Sequence, residues 1–146
     1  MMLIPYNAAF RNEFIDMNRD FYNSEAVLHS IPAVHAHRTA DLLEKGTPFA
    51  DAFMIMESET IIGYVLLAIT YSNEAGGIVV WIDELYIKPD YRGRGHGGAA
   101  VRALSEKYRD AARFRLEISP ENESVQKLYR KCGYENLAYS QMYIQH

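Results

Sequence analysis

The 146-residue sequence predicts a single α/β domain spanning residues 1–146, and three stretches carry that prediction. From residue 8 to residue 21, apolar side chains recur at helical spacing. Residues 49–57 and 61–71 form two apolar, β-branched runs around a tight turn, which indicates an antiparallel hairpin. Between residues 78 and 119 a strand, a helix and a strand follow one another, which implies a right-handed parallel crossover. The fold should therefore contain one mixed sheet with helices packed on it.

Composition narrows the class of protein. The net charge is −4. The sequence has no apolar run of about eighteen residues, so we expect no membrane span. It has no charged leader followed by an apolar segment, so we expect no secretory signal. The single cysteine, Cys132, excludes an internal disulfide and suits a reducing cytoplasm, where we expect the protein to act. The mild acidity argues against nucleic acid as a partner, because nucleic-acid-binding proteins usually display a basic face.

The first part of the chain predicts a strand and two helices. Residues 2–6 fit an edge strand, and residues 8–21 fit an amphipathic helix. After a polar loop, residues 33–45 predict a second helix that ends where Gly46 and Pro48 follow it.

Three histidines in this region suggest a metal site at first sight, namely His29, His35 and His37. His35 and His37 lie two residues apart on the predicted helix and therefore face different directions. Without the i, i+4 pair of a helical zinc site, we expect no metal.

The rest of the chain supplies the sheet. Gly63 within the second hairpin strand suggests a bulge or close packing. A central strand at residues 78–87, a helix at 99–109, a strand at 113–119 and a short helix at 124–131 follow in order. The tyrosine-rich tail, residues 134–144, can supply closing strands.

Two adjacent carboxylates, Asp83 and Glu84, interrupt the apolar central strand. Because side chains alternate along a strand, the two should point to opposite faces, so at least one can enter the protein unless a bulge redirects it. An ionised carboxylate is costly to bury without partners. Asp83 and Glu84 are therefore candidate catalytic residues. The alternative is that one of them caps the end of the sheet or pairs with an arginine.

A glycine-dense loop follows this strand, after Pro89 ends it. The loop runs from Arg92 to Gly98 and leads directly into a helix. Glycines allow the backbone to approach a ligand closely, and the first amide groups of a helix, with the positive end of its dipole, attract anions. With two arginines beside those amides, the loop predicts a diphosphate site.

Three classes of ligand compete for this loop. A kinase or ATPase loop is excluded, because Ala99 and Ala100 stand where Lys followed by Ser or Thr would be needed. A dinucleotide site remains open, since Gly93, Gly95 and Gly98 satisfy GxGxxG and Glu117 could be the acidic ribose ligand. However, the polar segment KPDYR separates strand and glycines, whereas a dinucleotide turn follows its strand at once.

The third class rests on two motifs. Arg92, Gly95 and Gly97 match the pattern of Gln or Arg, two residues, Gly, one residue, and Gly or Ala. Downstream, the segment from Asn122 to Tyr134 matches an Asn-x-x-Ala-x-x-Leu-Tyr helix that ends in Gly and an aromatic residue, with Val125 in place of Ala. Together, and in this order, the motifs resemble those of the GCN5-related N-acetyltransferases (GNAT). The resemblance covers nearly the whole chain, although its specific motifs lie between residues 83 and 134.

This resemblance implies the GNAT fold, an α/β domain with a mixed, mostly antiparallel sheet, helices on both faces and a sheet splayed near its central strand to admit acetyl-CoA. It implies that the backbone of the central strand pairs with the pantetheine arm, that the glycine-rich loop binds the diphosphate and that the later helix touches the cofactor. The implied cofactor-binding residues are Leu85, Tyr86, Ile87, Arg92, Gly93, Arg94, Gly95, His96, Gly97, Gly98, Asn122 and Tyr129. His96 departs from the family, which often has an aliphatic residue there.

Acetyl transfer to an amine requires a proton acceptor, because an alkyl ammonium with a pKa of about 10.4 is not a nucleophile. Glu84 or Asp83 could accept that proton directly or through water, with a preference for Glu84. Tyr129 matches the family's tyrosine that approaches the thioester sulfur, and we expect it to donate a hydrogen bond to the developing charge on that sulfur in preference to full proton transfer. The alternative is that Tyr129 only packs in an apolar stripe.

The implied reaction is direct transfer from acetyl-CoA in a ternary complex, because no Cys or Ser is placed to form an acyl-enzyme. The acceptor is expected to be a cationic amine: a polyamine, an aminoglycoside-like amine or a protein amine. Its identity stays open, as does the oligomeric state, a homodimer being common in the family. The rival functions are a non-catalytic coenzyme A sensor and a nicotinamide-dependent oxidoreductase.

Overall fold

The fold of this chain is described by a computed structural model of residues 1–146. The strands are β1 (Met2–Pro5), β2 (Ala50–Glu57), β3 (Thr60–Ser72), β4 (Gly77–Ile87) and β5 (Arg113–Leu116). The helices are α1 (Arg11–Tyr22), α2 (Val34–Lys45), α3 (His96–Lys107) and α4 (Glu123–Lys131). Short 3₁₀ turns at Ala8–Phe10 and Pro89–Tyr91 precede α1 and the glycine-rich loop.

One five-stranded sheet organises the molecule, in the order β1-β2-β3-β4-β5. The first four strands pair antiparallel, and β5 pairs parallel to β4. The strand, helix and strand of the crossover are therefore β4, α3 and β5. The predicted α/β class with a mixed, mostly antiparallel sheet is confirmed.

The sheet separates two apolar layers. On one face, Phe14, Met17 and Phe21 of α1 and Ala40 of α2 pack against the sheet around Tyr64. On the other face, α3 and α4 pack against the sheet, and the buried members of that layer are Phe53, Val65, Leu67, Val80, Ile82, Val101, Leu104 and Tyr129. Helices therefore cover both apolar faces of the sheet, as expected.

A bulge in β4 changes which side chains face which layer. Leu66 of β3 lies opposite Glu84, and Leu67 lies opposite Ile82, so Asp83 has no partner across the ladder. This extra residue reverses the alternation of side chains beyond it. Ile82 belongs to the layer under α3 and α4, whereas Tyr86 belongs to the layer under α1 and α2. Glu84, two residues before Tyr86, therefore faces α1.

Strands β4 and β5 separate at the same place. They pair from Val79 with Arg113 to Ile82 with Leu116, where β5 ends. Beyond this point β4 continues to Ile87 and pairs only with β3. Alternate backbone groups of residues 83–87 therefore face a gap in the sheet with no strand beside them.

Sequence expectations about two element bounds and about the tail are wrong. The last strand ends at Leu116 instead of residue 119, and α3 begins at His96 instead of residue 99. The tail forms no strand: Tyr134 still packs on Tyr129, but beyond it Met142 is 98% exposed. A strand in the tail would need an apolar face to bury, and the large apolar side chains beyond Tyr134 are all exposed.

None of the helices is both long and apolar enough to cross a membrane. No group of three or more His, Cys, Asp or Glu side chains is arranged to hold a metal ion.

Candidate active site

The glycine-rich loop turns the chain from β4 into α3. Gly93 and Gly95 adopt φ values of 74° and 83°, a left-handed conformation that disfavours side chains. Gly95 precedes the first turn of α3, and the helical ladder begins when the Ala99 N–H donates to Gly95 O at 3.0 Å. The amides of residues 96–98 come before that bond, so they are oriented to donate to an anion.

Two arginines lie beside this helix start. Arg92 Nε donates to Ile87 O at 2.8 Å, and its guanidinium lies 5.5 Å from the ring centroid of Tyr86. Arg94 lies 5.4 Å from the ring centroid of Tyr91. Both arginines are exposed, so their remaining donors can reach a phosphate. The turn at Pro89–Tyr91 separates β4 from the first glycine, unlike the immediate turn of a dinucleotide site.

His96 links this loop to the β2–β3 hairpin. Its Nε2 lies 3.2 Å from Glu57 Oε1, and the side chain is only 11% exposed. The two atoms are close enough for an ion pair, but their geometry is not that of a hydrogen bond, and the buried Nε2 has no other partner. His96 therefore contacts the hairpin with its ring while its backbone amide opens α3.

Gly97 allows α4 to approach the loop. A Cβ at this position would lie 3.0 Å from Leu128 Cδ1 of α4 and 4.0 Å from Leu85 Cδ2 of β4. The contact brings the glycine-rich loop, β4 and α4 together at one point. Asn122 begins α4, because its side chain accepts a hydrogen bond from the Val125 N–H at 3.3 Å.

Tyr129 lies on α4 and is only 6% exposed. Its ring contacts Tyr134 edge-on at 5.4 Å, and it belongs to the same buried layer as Val80 and Ile82 of β4. Burial, with smaller effects of Tyr134 and Cys132, raises the pKa of the Tyr129 hydroxyl well above its usual range. The phenol therefore stays protonated. Tyr129 packs in the apolar layer, which is the alternative role that the sequence offered. This packing still allows its hydroxyl to donate a hydrogen bond.

Glu84 is the most unusual side chain of β4, because it is a carboxylate only 4% exposed. Its Oε2 accepts hydrogen bonds from Asn18 Nδ2 and from the Tyr64 hydroxyl, each at 2.7 Å. Its Oε1 accepts one from the Tyr22 hydroxyl at 2.6 Å. Burial raises the pKa of Glu84, and these three hydrogen bonds oppose the shift without cancelling it.

Asp83, the bulged residue, has a different environment. Its side chain reaches solvent, yet surrounding protein atoms partly desolvate it, and this effect together with the charge of Glu117 raises its pKa. Its charge also contributes to the raised pKa values of Glu84 and Tyr22. The structure therefore brings the two predicted carboxylates to one place but gives them opposite exposures.

Three residues that sequence reasoning did not assign complete this cluster: Asn18, Tyr22 and Tyr64. A signal existed for Asn18, because a polar residue stands within the apolar stripe formed by Phe14, Met17 and Phe21. No local pattern marks Tyr22 or Tyr64, whose hydroxyls meet Glu84 only through tertiary contacts.

Comparison with known proteins identifies the family of this chain. Residues 11–134 match the model of a family described as the acetyltransferase (GNAT) family. A Bacillus subtilis (strain 168) protein, provisionally named as a [ribosomal protein bS18]-alanine N-acetyltransferase, is 30% identical over 128 residues, which are 86% of this chain and 80% of that protein.

Other similar proteins match a smaller part of the sequence or match mainly in fold. A thialysine N-epsilon-acetyltransferase of Sus scrofa is 29% identical over 83 residues, 56% of this chain and 48% of that protein, so the chain spans about half the length of the first curated relatives that it matches. Among solved structures, an aminoglycoside N-acetyltransferase, AAC(6')-Iy, in complex with CoA aligns with a TM-score of 0.78 at 18% identity, covering 99% of this chain and 93% of that one.

Proposed function

Because the chain belongs to the GNAT family of acetyltransferases, we propose that it transfers the acetyl group of acetyl-CoA to a primary amine by direct attack in a ternary complex. The observation that carries this proposal is the position of a buried, hydrogen-bonded carboxylate, Glu84, beside the gap between β4 and β5. A donor thioester in that gap and an acceptor amine on the α1 side would meet next to Glu84.

Acetyl-CoA fits the unpaired groups of this region. The diphosphate would lie against the first amides of α3 and the arginines of the loop, which offer donors and positive charge. The pantetheine arm would take the place of a neighbouring strand along residues 83–87 of β4. We assign cofactor binding to the loop from Arg92 to Gly98, to Leu85, Tyr86 and Ile87, and to Asn122 and Tyr129 on the side of α4.

Glu84 is the proposed proton acceptor. An alkyl ammonium must lose a proton before it can attack a thioester, and a carboxylate with a raised pKa accepts that proton more readily than an ordinary one. Glu84 faces α1, and burial raises its pKa. Asp83 is exposed, so we assign it the role of attracting a cationic acceptor, together with Glu117.

Tyr129 is the proposed hydrogen-bond donor to the departing sulfur. With reference pKa values of about 10 for a phenol and 8.5 for a thiol, full proton transfer to a thiolate is unfavourable by roughly 2 kcal/mol. Because burial raises the pKa of Tyr129 further, the transfer becomes still less favourable. A neutral phenol that donates a hydrogen bond to the developing thiolate avoids this cost.

The acceptor is proposed to be a cationic primary amine, either a small molecule such as a polyamine or an amine of a protein. The carboxylates of Asp83 and Glu117 support a cationic acceptor, because negative charge beside the site raises the local concentration of cations. The similar proteins named above are an alanine, a thialysine and an aminoglycoside N-acetyltransferase, and all three names specify acetylation at nitrogen. We place the reaction in the cytoplasm, since the single cysteine suits a reducing compartment.

A thiol-release screen tests this function. Wild-type protein is incubated with acetyl-CoA and a panel of polyamines, aminoglycosides, lysine analogues and peptides with free N-termini, and released CoA is detected with a thiol reagent. We expect amine-dependent release that Glu84→Gln lowers by about 10²-fold or more. Tight acetyl-CoA binding without release for any amine would instead indicate a coenzyme A sensor.

A further inference from the structure

The proton path from solvent to Glu84 is closed on one side and open on the other. Asn18 and Tyr64, the two donors to Oε2, are both buried. Asn18 Nδ2 also donates to the Tyr64 hydroxyl at 3.0 Å, which closes this side of the carboxylate. Tyr22, the donor to Oε1, is only half-buried. Of the three side chains that bond to Glu84, Tyr22 alone reaches solvent.

Tyr22 also stands where an acceptor would arrive. It is the last residue of α1, and the segment that follows it, up to α2, has no helix or strand. Its ring is fixed by an edge-on contact with Phe21 at 5.0 Å. The titratable groups that affect its hydroxyl from the sheet are Glu84 and Asp83, and Tyr64 shares the same carboxylate. An ammonium group attracted by Asp83 would therefore come close to Tyr22.

We propose that Tyr22 is a further catalytic residue, which relays the proton of the acceptor ammonium to Glu84. The inference rests on the proposed acetyl transfer and adds a path for its proton. The N–H bond of the ammonium breaks as an O–H bond forms on the Tyr22 oxygen, and the original Tyr22 O–H breaks as one forms on Glu84 Oε1. The products are a neutral amine, an unchanged tyrosine and a protonated glutamate, so charge and protons balance.

The chemistry of a phenol suits this role. A hydroxyl has one donor and two acceptor positions, so Tyr22 can accept from the amine while it donates to Glu84. Burial and the negative charge of Glu84 raise the pKa of Tyr22, so the hydroxyl remains protonated and does not compete with Glu84 as the final acceptor. A relay of this kind also explains how a carboxylate with both oxygens already bonded can act on a substrate outside the core.

A kinetic double-mutant cycle tests the relay. The value of kcat/KM for the best amine is measured at pH 7 for wild type, Tyr22→Phe, Glu84→Gln and the double variant. We expect each single change to lower kcat/KM by about 10²-fold or more. The double variant should be no less active than the less active single variant, because the two residues act on the same proton path. Losses that multiply would overturn the relay.

Tyr108→Phe is the matched control, because Tyr108 is also a half-buried tyrosine that donates to a carboxylate, that of Asp51. Its kcat/KM should equal that of wild type. The acetyl-CoA dissociation constant, measured by calorimetry, should be the same in Tyr22→Phe and in wild type.

The pH dependence separates a relay from a purely structural role. Without the relay, the enzyme must use amine that is already neutral, and that fraction rises about tenfold per pH unit below an amine pKa of about 10.4. The deficit of Tyr22→Phe should therefore shrink by about tenfold per unit between pH 7 and 9. A deficit that does not change with pH would overturn the proposal.

Two further outcomes are distinct. If wild-type protein acetylates no amine, the proposed function fails and the relay with it; if wild type is active and Tyr22→Phe is equally active, only the relay fails. Should Tyr22→Phe not fold, the solvent-deuterium dependence of wild-type kcat/KM decides. Two protons in flight give a curved plot against deuterium fraction, whereas a straight line would contradict the relay.

Discussion

Glu84 is stabilised as an ion by its neighbours, but not completely. Three hydrogen bonds, from Asn18, Tyr22 and Tyr64, oppose the desolvation of its carboxylate. Since burial still raises its pKa, the ionised group costs the fold stability at neutral pH. Such a cost is typical of a group that is kept for chemistry instead of for stability.

Glu84→Gln should therefore raise the stability of the protein at pH 7 while it lowers activity. The pKa of Glu84 is higher in the folded than in the unfolded protein, so the folded state binds the proton more tightly. The stability cost of the ionised carboxylate is therefore absent below the unfolded pKa of about 4.3 and fully present above the folded pKa. The gain in melting temperature should be seen at pH 7 and vanish near pH 4. A variant that is less stable than wild type at pH 7 would show that the three donors outweigh desolvation.

Tyr129→Phe should lower kcat by about tenfold to 100-fold, since one hydrogen bond to the developing thiolate is lost while the ring remains. In wild type, burial keeps the pKa of Tyr129 high, so the phenol stays neutral and its ionisation should cause no loss of rate between pH 7 and 10. A pH–rate profile checks this point. An alkaline decline below pH 10 that disappears in Tyr129→Phe would contradict the assignment.

At the scale of elements, the alignment of β3 with β4 determines where the proposed pantetheine edge lies. Gly63 pairs with Ile87, and a Cβ on Gly63 would lie 2.1 Å from the carbonyl oxygen of Tyr86. The glycine therefore lets the two backbones approach at the end of β4 that borders the glycine-rich loop. The sequence expectation of a bulge or close packing at Gly63 is confirmed in both respects, because the β2–β3 register also shifts beside it.

Gly63→Ala should destabilise the protein by at least about 2 kcal/mol, because backbone atoms would have to move apart. Urea unfolding measures the change. Gly77→Ala is the control: Gly77 lies at the opposite end of the same ladder, and its Cβ would meet only the Ala112 side chain, at 3.1 Å. Equal losses in the two variants would contradict the steric explanation.

At the scale of the whole molecule, the proposed acetyl-CoA site joins parts that are far apart in the sequence. The β4 edge, the start of α3 and helix α4 come together at Gly97, where a Cβ would lie 3.0 Å from Leu128 and 4.0 Å from Leu85. None of these surfaces is assembled in an unfolded chain. A ligand that binds all three stabilises only the folded state.

Acetyl-CoA at about 100 times its dissociation constant should stabilise the protein by about 2.7 kcal/mol, which corresponds to a rise in melting temperature of roughly 5–10 °C. NADH at the same concentration should cause no rise, because the loop lacks the immediate turn after a strand that a dinucleotide needs. Thermal unfolding with each ligand measures both effects. Stabilisation by NADH alone would favour the oxidoreductase alternative.

The sequence by itself determined the parts that depend on near neighbours. The stripe of α1, the turn at Pro89, the two left-handed glycines before α3 and the Asn122 cap of α4 follow from local sterics and hydrogen bonds. Both motifs that resemble the GNAT family lie in such local segments. For this reason the fold class and the family could be predicted from the amino-acid sequence alone.

Only the tertiary structure decided how the carboxylates are used. Whether Asp83 or Glu84 enters the core depends on a bulge that arises from pairing with β3, and no local pattern marks it. The partners of Glu84 come from α1 and β3, and the expected strands of the tail are missing because a strand forms only where another strand and a buried face support it. Contacts between distant segments are set by packing of the whole chain, and a single sequence read in short windows does not contain them.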